Sequence, residues 1–192
     1  LDESIINTYI PQDLYVKIYL DYDENNYITA DIKFVYGDVE FNPLKEANIT
    51  LARDVAKENE YLDIFVNTGF MFDKNNARLI LVNEEKIYNF LTEEIEEYMK
   101  NFEVLATDNF KKKEIRRPKI GSIGVKVEND LLKIDLSNMD FDIEEIKSIM
   151  KKYALKKRFH RLKDGSFIDL EENETMDFIN SLIQNEDISY DE

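Results

Sequence analysis

Two β-type segments on either side of a short polar stretch constrain the fold more than any other feature of the chain. LYVKIYL (14 to 20) and YITADIKFVY (27 to 36) are rich in branched and aromatic residues, with partial alternation of apolar and polar positions. The intervening DYDENN is polar. This pattern predicts a β-hairpin, and VEF (39 to 41) predicts a further short strand.

Amphipathic helices are predicted after the hairpin. Between residues 52 and 67, Val55, Leu62, Phe65 and Val66 recur at helical spacing, and Gly69 stands where a C-terminal cap belongs. Residues 77 to 82, ARLILV, follow a DKNN turn and are predicted to form a strand.

A second helix is predicted to begin at Asn83, a favourable N-cap residue. Its apolar stripe comprises Ile87, Phe90, Leu91, Ile95, Tyr98 and Met99. Its opposite face carries Glu93, Glu94, Glu96 and Glu97. Clustered carboxylates can form a metal or acid/base site, but a helix that buries one stripe has the same pattern, and we favour that interpretation.

The second half of the chain repeats this alternation of strands and helices. EVLAT (103 to 107) is predicted to be a strand, and residues 123 to 136 to be two strands that turn at Asn129-Asp130. FDIEEIKSIMKKYALKK predicts a helix with Asp142 and Glu145 in capping-box spacing, and 174 to 183 predicts a last helix. The predicted class is α+β, with antiparallel β hairpins and sheets and amphipathic helices packed on them.

We interpret residues 1–192 as a single domain in which 1–110 and 119–192 can form separate lobes. The polar stretch 111–118 is the predicted basic connector, and it ends at Pro118.

Charge is distributed unevenly along the chain. The formal net charge is −16, yet residues 111 to 163 hold 16 basic and 8 acidic side chains. Residues 1 to 110 hold 9 basic and 23 acidic side chains, and residues 164 to 192 hold 10 acidic and no basic ones. A basic middle therefore lies between two acidic ends, and such a patch is suited to phosphate or carboxylate partners.

The stretch KKRFHRLKDGSFIDLEE (156 to 172) gathers cations and the single histidine beside an Asp-Gly turn. Asp-Gly is typical of a two-residue hairpin turn, which would place Leu162 opposite Phe167 and His160 opposite Asp169. A cross-strand His-Asp pair is a sufficient structural role for that histidine.

The candidate partner-contact residues are the cations of both basic stretches: Lys111, Lys112, Lys113, Arg116, Arg117, Lys156, Lys157, Arg158, Arg161 and Lys163. The lysines at the C-terminal end of the preceding predicted helix also suit the helix dipole, which is a purely stabilising alternative for Lys151, Lys152, Lys156 and Lys157.

Most catalytic constellations cannot be assembled from this composition. The chain has no cysteine and one histidine, and none of its five glycines precedes a lysine, so it has no phosphate-binding P-loop. DYDENN begins like a calcium loop, but Asn26 replaces the required glycine and Ile32 replaces the glutamate. We therefore predict no catalytic residue, metal site or cofactor in this chain.

The sequence also indicates the cellular compartment in which the protein is expected. No apolar run approaches the roughly 20 residues of a membrane span, and LDESIINTYI lacks the pattern of a signal peptide. The absence of cysteine suits a reducing compartment, and a cytoplasmic location is expected. The first residue is Leu1 and not methionine, which suggests a segment of a longer chain.

Three segments carry a resemblance to a known family: RDVAKENEYLDIFVNTGF (53 to 70), LVNEEKIYNFLTEEIEEYMKNFEVLATDNFKK (81 to 112) and KKRFHRLKDGSFIDLEE. In this order they resemble the bacterial Swi/Snf-type helicase-associated domain, the region N-terminal to the Swi/Snf ATPase motor. The resemblance implies that a double-stranded-DNA translocase motor follows in the same polypeptide, and that the full-length protein is a DNA-dependent ATPase. Some relatives also carry an upstream zinc-binding segment, which this chain lacks.

Two functions are open at this point. In the first, the chain is a non-catalytic accessory domain, and its basic residues contact the backbone of double-stranded DNA near the motor without sequence specificity. Alternatively, it is a protein-interaction or regulatory module that docks on an acidic face of the motor or of another partner. The two basic stretches can also be no more than solvated surface.

Overall fold

The computed structural model describes residues 12–45, 48–113, 115–117, 124–128, 131–135, 143–171 and 174–185. The chain divides into two units, Leu1–Lys112 and Lys113–Glu192, and each is described by itself. Both units combine β-sheet with helices, which confirms the predicted α+β class.

The predicted hairpin lies at the centre of the sheet in the first unit. Strands β1 (Leu14–Tyr22) and β2 (Ile28–Tyr36) pair antiparallel along their whole length. Alternate side chains of β1, beginning with Leu14 and Val16, are buried, whereas Tyr15 remains 65% exposed. The period-two pattern therefore directs one face of the sheet towards the core and the other towards solvent.

Among the described residues, four more strands belong to this sheet. Strands β3 (Val39–Phe41), β4 (Met71–Asp73), β5 (Arg78–Leu81) and β6 (Glu103–Ala106) give the order β4-β5-β2-β1-β6, with β3 also paired to β2. Strand β6 pairs with β1 in parallel, although the sequence predicted antiparallel sheets. The chain returns through helices between β5 and β6, and such a crossover delivers a strand in the parallel direction.

The first helix, α1, spans Val55–Thr68 and confirms the prediction for this segment. Asp54 accepts a hydrogen bond from the Lys57 backbone N–H at its start, and Gly69 ends it with φ of 108°. Phe65 is fully buried, but Val55 is 56% exposed and Val66 is 63% exposed, so the predicted apolar stripe is wrong at both valines.

The helix predicted from Asn83 is interrupted by a π-helical turn. Asn83 caps α2 (Glu84–Asn89), the π turn spans Phe90–Glu94, and α3 spans Ile95–Asn101. A π turn adds one residue to the helical cycle and rotates the residues that follow. Tyr98 is consequently buried, whereas Met99 is 63% exposed and does not belong to the predicted stripe.

The segment predicted as a connector contains regular structure. A short helix, α4 (Asp108–Lys112), ends the first unit, and its Phe110 stacks on Tyr22 with ring centroids 4.9 Å apart. Strand β7 (Ile115–Arg116) begins the second unit. Pro118 lies outside the described residues.

The described residues of the second unit form two small sheets and two helices. Strands β8 (Gly124–Glu128) and β9 (Leu131–Asp135) pair antiparallel as predicted, and their predicted turn at 129–130 lies outside the described residues. Helix α5 (Ile143–Ala154), strands β10 (Phe159–Arg161) and β11 (Phe167–Asp169), and helix α6 (Glu174–Asn185) follow. The three-stranded sheet has the order β10-β11-β7.

The core of the second unit lies between this sheet and the two helices. Its buried side chains are Ile146, Ile149, Met150, Leu162, Ile168, Leu170 and Met176. No described helix of the chain is both long and apolar enough to cross a membrane.

Candidate functional site

The hairpin in the second unit has a three-residue loop, not the predicted two-residue turn. The Leu162 backbone N–H donates to the Ser166 carbonyl at 2.8 Å, and the Gly165 N–H donates to the Leu162 carbonyl at 3.0 Å. Gly165 has φ of 87°. A type I turn followed by one left-handed residue closes a three-residue loop and shifts the strand pairing by one position.

This shift separates His160 from Asp169, so the predicted pairing of these two residues is wrong. His160 lies opposite Ile168, and Phe159 lies opposite Asp169. Successive residues of a strand point to opposite faces, which places His160 on the face of Ile168 and Asp169 on the other face. His160 and Asp169 are both buried, at 6% and 5% exposure. The predicted pairing of Leu162 with Phe167 is wrong for the same reason, because Arg161 is the residue opposite Phe167.

Strand β7 brings two predicted arginines to this hairpin. It pairs in parallel with β11, so that Ile115 lies beside Phe167 and Arg116 beside Ile168. The second unit therefore unites Arg116 and Arg117 with the hairpin cations on one sheet. Of the other predicted contacts, Lys111 and Lys112 end α4 in the first unit, and Lys113 begins the second.

The arginines around this sheet contact carboxylates of the same unit. Arg117 Nε lies 2.8 Å from Asp169 Oδ2, and Arg158 Nε lies 2.8 Å from Glu171 Oε1. Arg116 Nη2 lies 3.8 Å from Asp164 Oδ2. These three arginines therefore already have carboxylate partners within the unit.

Arg161 has a different environment. Its guanidinium carbon lies 4.9 Å from the centroid of the Phe167 ring, and its Nε donates to the Gly165 carbonyl at 3.3 Å. Phe167 is almost fully buried. Arg161 thus covers an aromatic ring by a cation–π contact and holds the loop end of the hairpin.

The lysines at the C-terminal end of α5 form the other part of the basic surface. The Lys156 N–H donates to the Tyr153 carbonyl at 2.8 Å, and the Lys157 N–H donates to the Lys152 carbonyl at 3.0 Å. Lys156 has φ of 52°, which completes a Schellman-type helix end with lysine where glycine is preferred. This end groups four lysines, which we call the α5 lysine cluster: Lys151, Lys152, Lys156 and Lys157.

The α5 lysine cluster differs from the arginines in its partners. Lys151, Lys156 and Lys157 are exposed and Lys152 is half-buried. Within the described part of the chain, their ammonium groups are in no hydrogen bond or ion pair with a side chain. Sequence reasoning included Lys156 and Lys157 but assigned Lys151 and Lys152 only to the helix dipole. Their spacing on α5 beside the turn that follows was the signal for the larger cluster.

One glutamate of the acidic face of the second predicted helix, Glu94, has a structural role. Thr68 Oγ1 donates to Glu94 Oε2 at 2.6 Å and lies 2.8 Å from the Tyr98 hydroxyl. Burial raises the pKa of Tyr98 well above its ordinary value. A cavity of about 480 Å³ lies beside these groups. Across the described residues, no group of three or more acidic or histidine side chains is placed to hold a metal ion.

The DYDENN loop is organised by hydrogen bonds from the protein itself. Asp23 Oδ1 accepts from the backbone N–H groups of Asn25 and Tyr27, each at 2.9 Å. Asp21 Oδ1 accepts from Thr107 Oγ1 at 2.7 Å and from Asn109 Nδ2 at 2.9 Å. These two aspartates therefore close the turn and attach the start of α4 to β1.

Comparison with known proteins identifies a family for this chain. A family model described as bacterial SNF2 helicase associated matches residues 1–192, which is the whole chain. A search of curated proteins and a search of solved structures each found no match.

Proposed function

Because the chain belongs to the bacterial SNF2 helicase-associated family, we propose that it is a non-catalytic accessory domain whose second unit contacts the backbone of double-stranded DNA for an SNF2-type motor. The α5 lysine cluster is the observation that carries this proposal. Its ammonium groups are offered to solvent without a carboxylate partner among the described residues. Phosphate is the anion that such a cluster can neutralise with release of bound counterions.

The acidic remainder of the chain is compatible with this contact. Charges separated by more than a Debye length, about 8 Å at physiological salt, are largely screened from one another. A local cluster therefore acts on a nearby phosphate despite the net charge of −16. Lysine makes point-charge contacts with phosphate, so the contact is expected to be independent of DNA sequence.

DNA affinity at two salt concentrations tests the proposal. Lys151→Gln with Lys157→Gln removes two exposed cations of the cluster, and we expect weaker binding to all sequences and a salt slope lowered by about two. The matched control is Lys74→Gln with Lys86→Gln, which changes the charge equally at exposed positions of the first unit. Equal losses in the two double variants would contradict the proposal, since they would reflect net charge alone.

Docking on an acidic protein surface, such as a face of the motor, is the second candidate. The arginine–carboxylate pairs around Arg116, Arg117 and Arg158 support it, because they create a surface of both signs that suits a protein better than a phosphate backbone. In that case the chain alone binds DNA negligibly. The lysine variants would then lower DNA-dependent ATPase activity only in the full-length protein.

A further inference from the structure

A groove at one edge of the sheet in the first unit points to a second interaction surface. Strand β1 starts at Leu14, but β6 pairs with it only from Lys17 to Leu20. Among the described residues, no strand pairs with Leu14–Val16 on the side away from β2. We propose that this groove receives an extended, basic segment of another polypeptide as an added β-strand.

The unpaired stretch of β1 borders a groove in the protein surface. A cavity of about 530 Å³ lies along it, lined by Tyr61 of α1, by Asn101 at the end of α3 and by Glu103 at the start of β6. An exposed strand edge offers backbone N–H and C=O groups from alternate residues. A peptide in extended form satisfies these groups as it binds, which is recognition by β-strand addition.

The alternation of side chains along β1 determines which types of side chain an added strand needs on each of its two faces. Leu14 and Val16 point into the core at 4% exposure each, whereas Tyr15 points outwards. Residues of an added strand that point the same way as Leu14 would meet the Tyr61 ring, which packs on Phe102 at 5.3 Å. Those positions therefore favour apolar side chains.

The outward positions favour cations. Asp13 and Glu103 are exposed at the rim, and neither carboxylate is in an ion pair within the described part of the chain. Lys17, which faces Glu103 in register, forms its ion pair with Glu40 at 3.2 Å and is attracted more weakly by Glu103. Lys57 Nζ lies 5.8 Å above the Tyr61 ring. Outside ion pairs the groove thus has two carboxylates, Asp13 and Glu103, and one lysine, Lys57, so its unpaired charge is net negative.

The first unit as a whole also carries a net negative charge. Residues 1 to 112 contain 11 basic and 23 acidic side chains. A second copy of this unit would bring the same acidic rim against itself, and like charges across an interface oppose association. The charge therefore favours a basic segment of a different polypeptide over the first unit of another copy.

The test uses a fluorescent, end-capped peptide of alternating lysine and valine, titrated with the 192-residue protein at physiological salt. One control peptide has glutamate in place of lysine, and another has a central proline that removes a backbone donor. We expect both control peptides to bind at least about tenfold more weakly, the first through charge repulsion and the second through the lost strand pairing. Peptide-induced shifts in the backbone amide NMR signals should centre on Leu14–Val16 and Glu103.

A matched pair of variants separates the groove from overall charge. Asp13→Asn with Glu103→Gln should weaken binding of the lysine–valine peptide by about three- to tenfold, because exposed ion pairs are individually weak. Asp63→Asn with Glu96→Gln makes the same charge change at exposed positions away from the groove and should leave binding unchanged.

Three results would overturn the proposal. They are absent binding of the lysine–valine peptide, equal binding of the proline peptide, and a concentration-dependent dimer of the protein that the peptide dissociates. The last result would assign the groove to a second copy of the chain. Loss of DNA binding in the lysine variants described above involves the other unit, so the two proposals fail independently.

Discussion

Asp169 shows how a single residue organises the sheet of the second unit. Its side chain is 6% exposed, although a carboxylate removed from water requires charged or hydrogen-bonding partners. Arg117 Nε donates to Asp169 Oδ2 at 2.8 Å, and the Glu171 backbone N–H donates to Asp169 Oδ1 at 2.9 Å. Arg117 is therefore a structural cation first, and its place among the predicted contact residues stays a prediction.

Substitution of two neighbouring arginines tests this distinction. Arg117→Ala leaves a buried carboxylate without its cation, and we expect the free energy of unfolding to fall by about 1–2 kcal/mol. Arg116→Ala removes an exposed contact to Asp164, whose side chain is 58% exposed, and should cost less than about 0.5 kcal/mol. Urea denaturation of both variants measures the difference. Equal losses would mean that burial of Asp169 does not matter.

Gly165 sets the register of the hairpin through its backbone conformation. Its φ of 87° is readily adopted by glycine, and a β-branched residue there is strained. Gly165→Val should lower the free energy of unfolding by more than about 1 kcal/mol. Gly165→Asn is the matched variant, since asparagine tolerates the left-handed region, and it should be milder. An unchanged melting temperature for Gly165→Val would show that the loop adopts another turn.

At the scale of the element, a buried hydrogen-bond network holds α1 on the sheet. The Tyr36 hydroxyl donates to Glu58 Oε1 at 2.7 Å and accepts from the Asp54 backbone N–H at 3.0 Å. Arg53 Nε donates to the same glutamate oxygen at 2.9 Å. Burial, assisted by the bond to Glu58, raises the pKa of Tyr36 well above its ordinary value of 10.0.

This network predicts a loss of stability in alkali. Below pH 10.0 the Tyr36 hydroxyl keeps its proton in both states, so its contribution to stability is fully present. As the pH rises from there through the folded pKa, the unfolded chain ionises first and stability falls. Tyr36→Phe should be less stable near about pH 8 because it lacks the Glu58 bond, but its stability should decline less towards about pH 11. Parallel declines measured by urea denaturation would contradict this assignment.

At the scale of the whole molecule, each unit has packed elements of its own among its described residues. In the first unit, β6 completes the sheet and Phe110 of α4 packs on Tyr22, so both lie before the division at Lys112. In the second unit, α5 and α6 share a core with the hairpin. We propose that the two units are separate folding units.

A truncation series tests the independence of the first unit. A chain that ends at Lys112 should keep its far-ultraviolet circular dichroism and unfold cooperatively in urea, because it retains all six strands of the sheet. A chain that ends at Asn101 lacks β6 and exposes one side of β1, so it should be markedly less stable. Loss of cooperative unfolding in the longer fragment would show that the first unit depends on the second.

The sequence by itself determined the local elements and the α+β class. Alternation in β1 and β2 and the cap residues Asn83 and Gly69 each act over a few residues, and short-range patterns carry that information. The hairpin at Asp164-Gly165 was also predicted, but its three-residue loop and register were not. The family resemblance was also contained in the sequence, and the match over residues 1–192 confirms it.

Only the tertiary structure decided how those elements meet. The π turn at Phe90–Glu94 rotated Met99 into solvent, and the parallel pairing of β7 with β11 brought Arg117 to Asp169. Residues 117 and 169 are far apart in the chain, so no local sequence pattern shows that Arg117 is paired with Asp169. Long-range contacts of this kind decide which cations have carboxylate partners, as the arginines do, and which do not, as the lysines of α5. The sequence shows the charge of each side chain, but packing determines whether an opposite charge lies beside it.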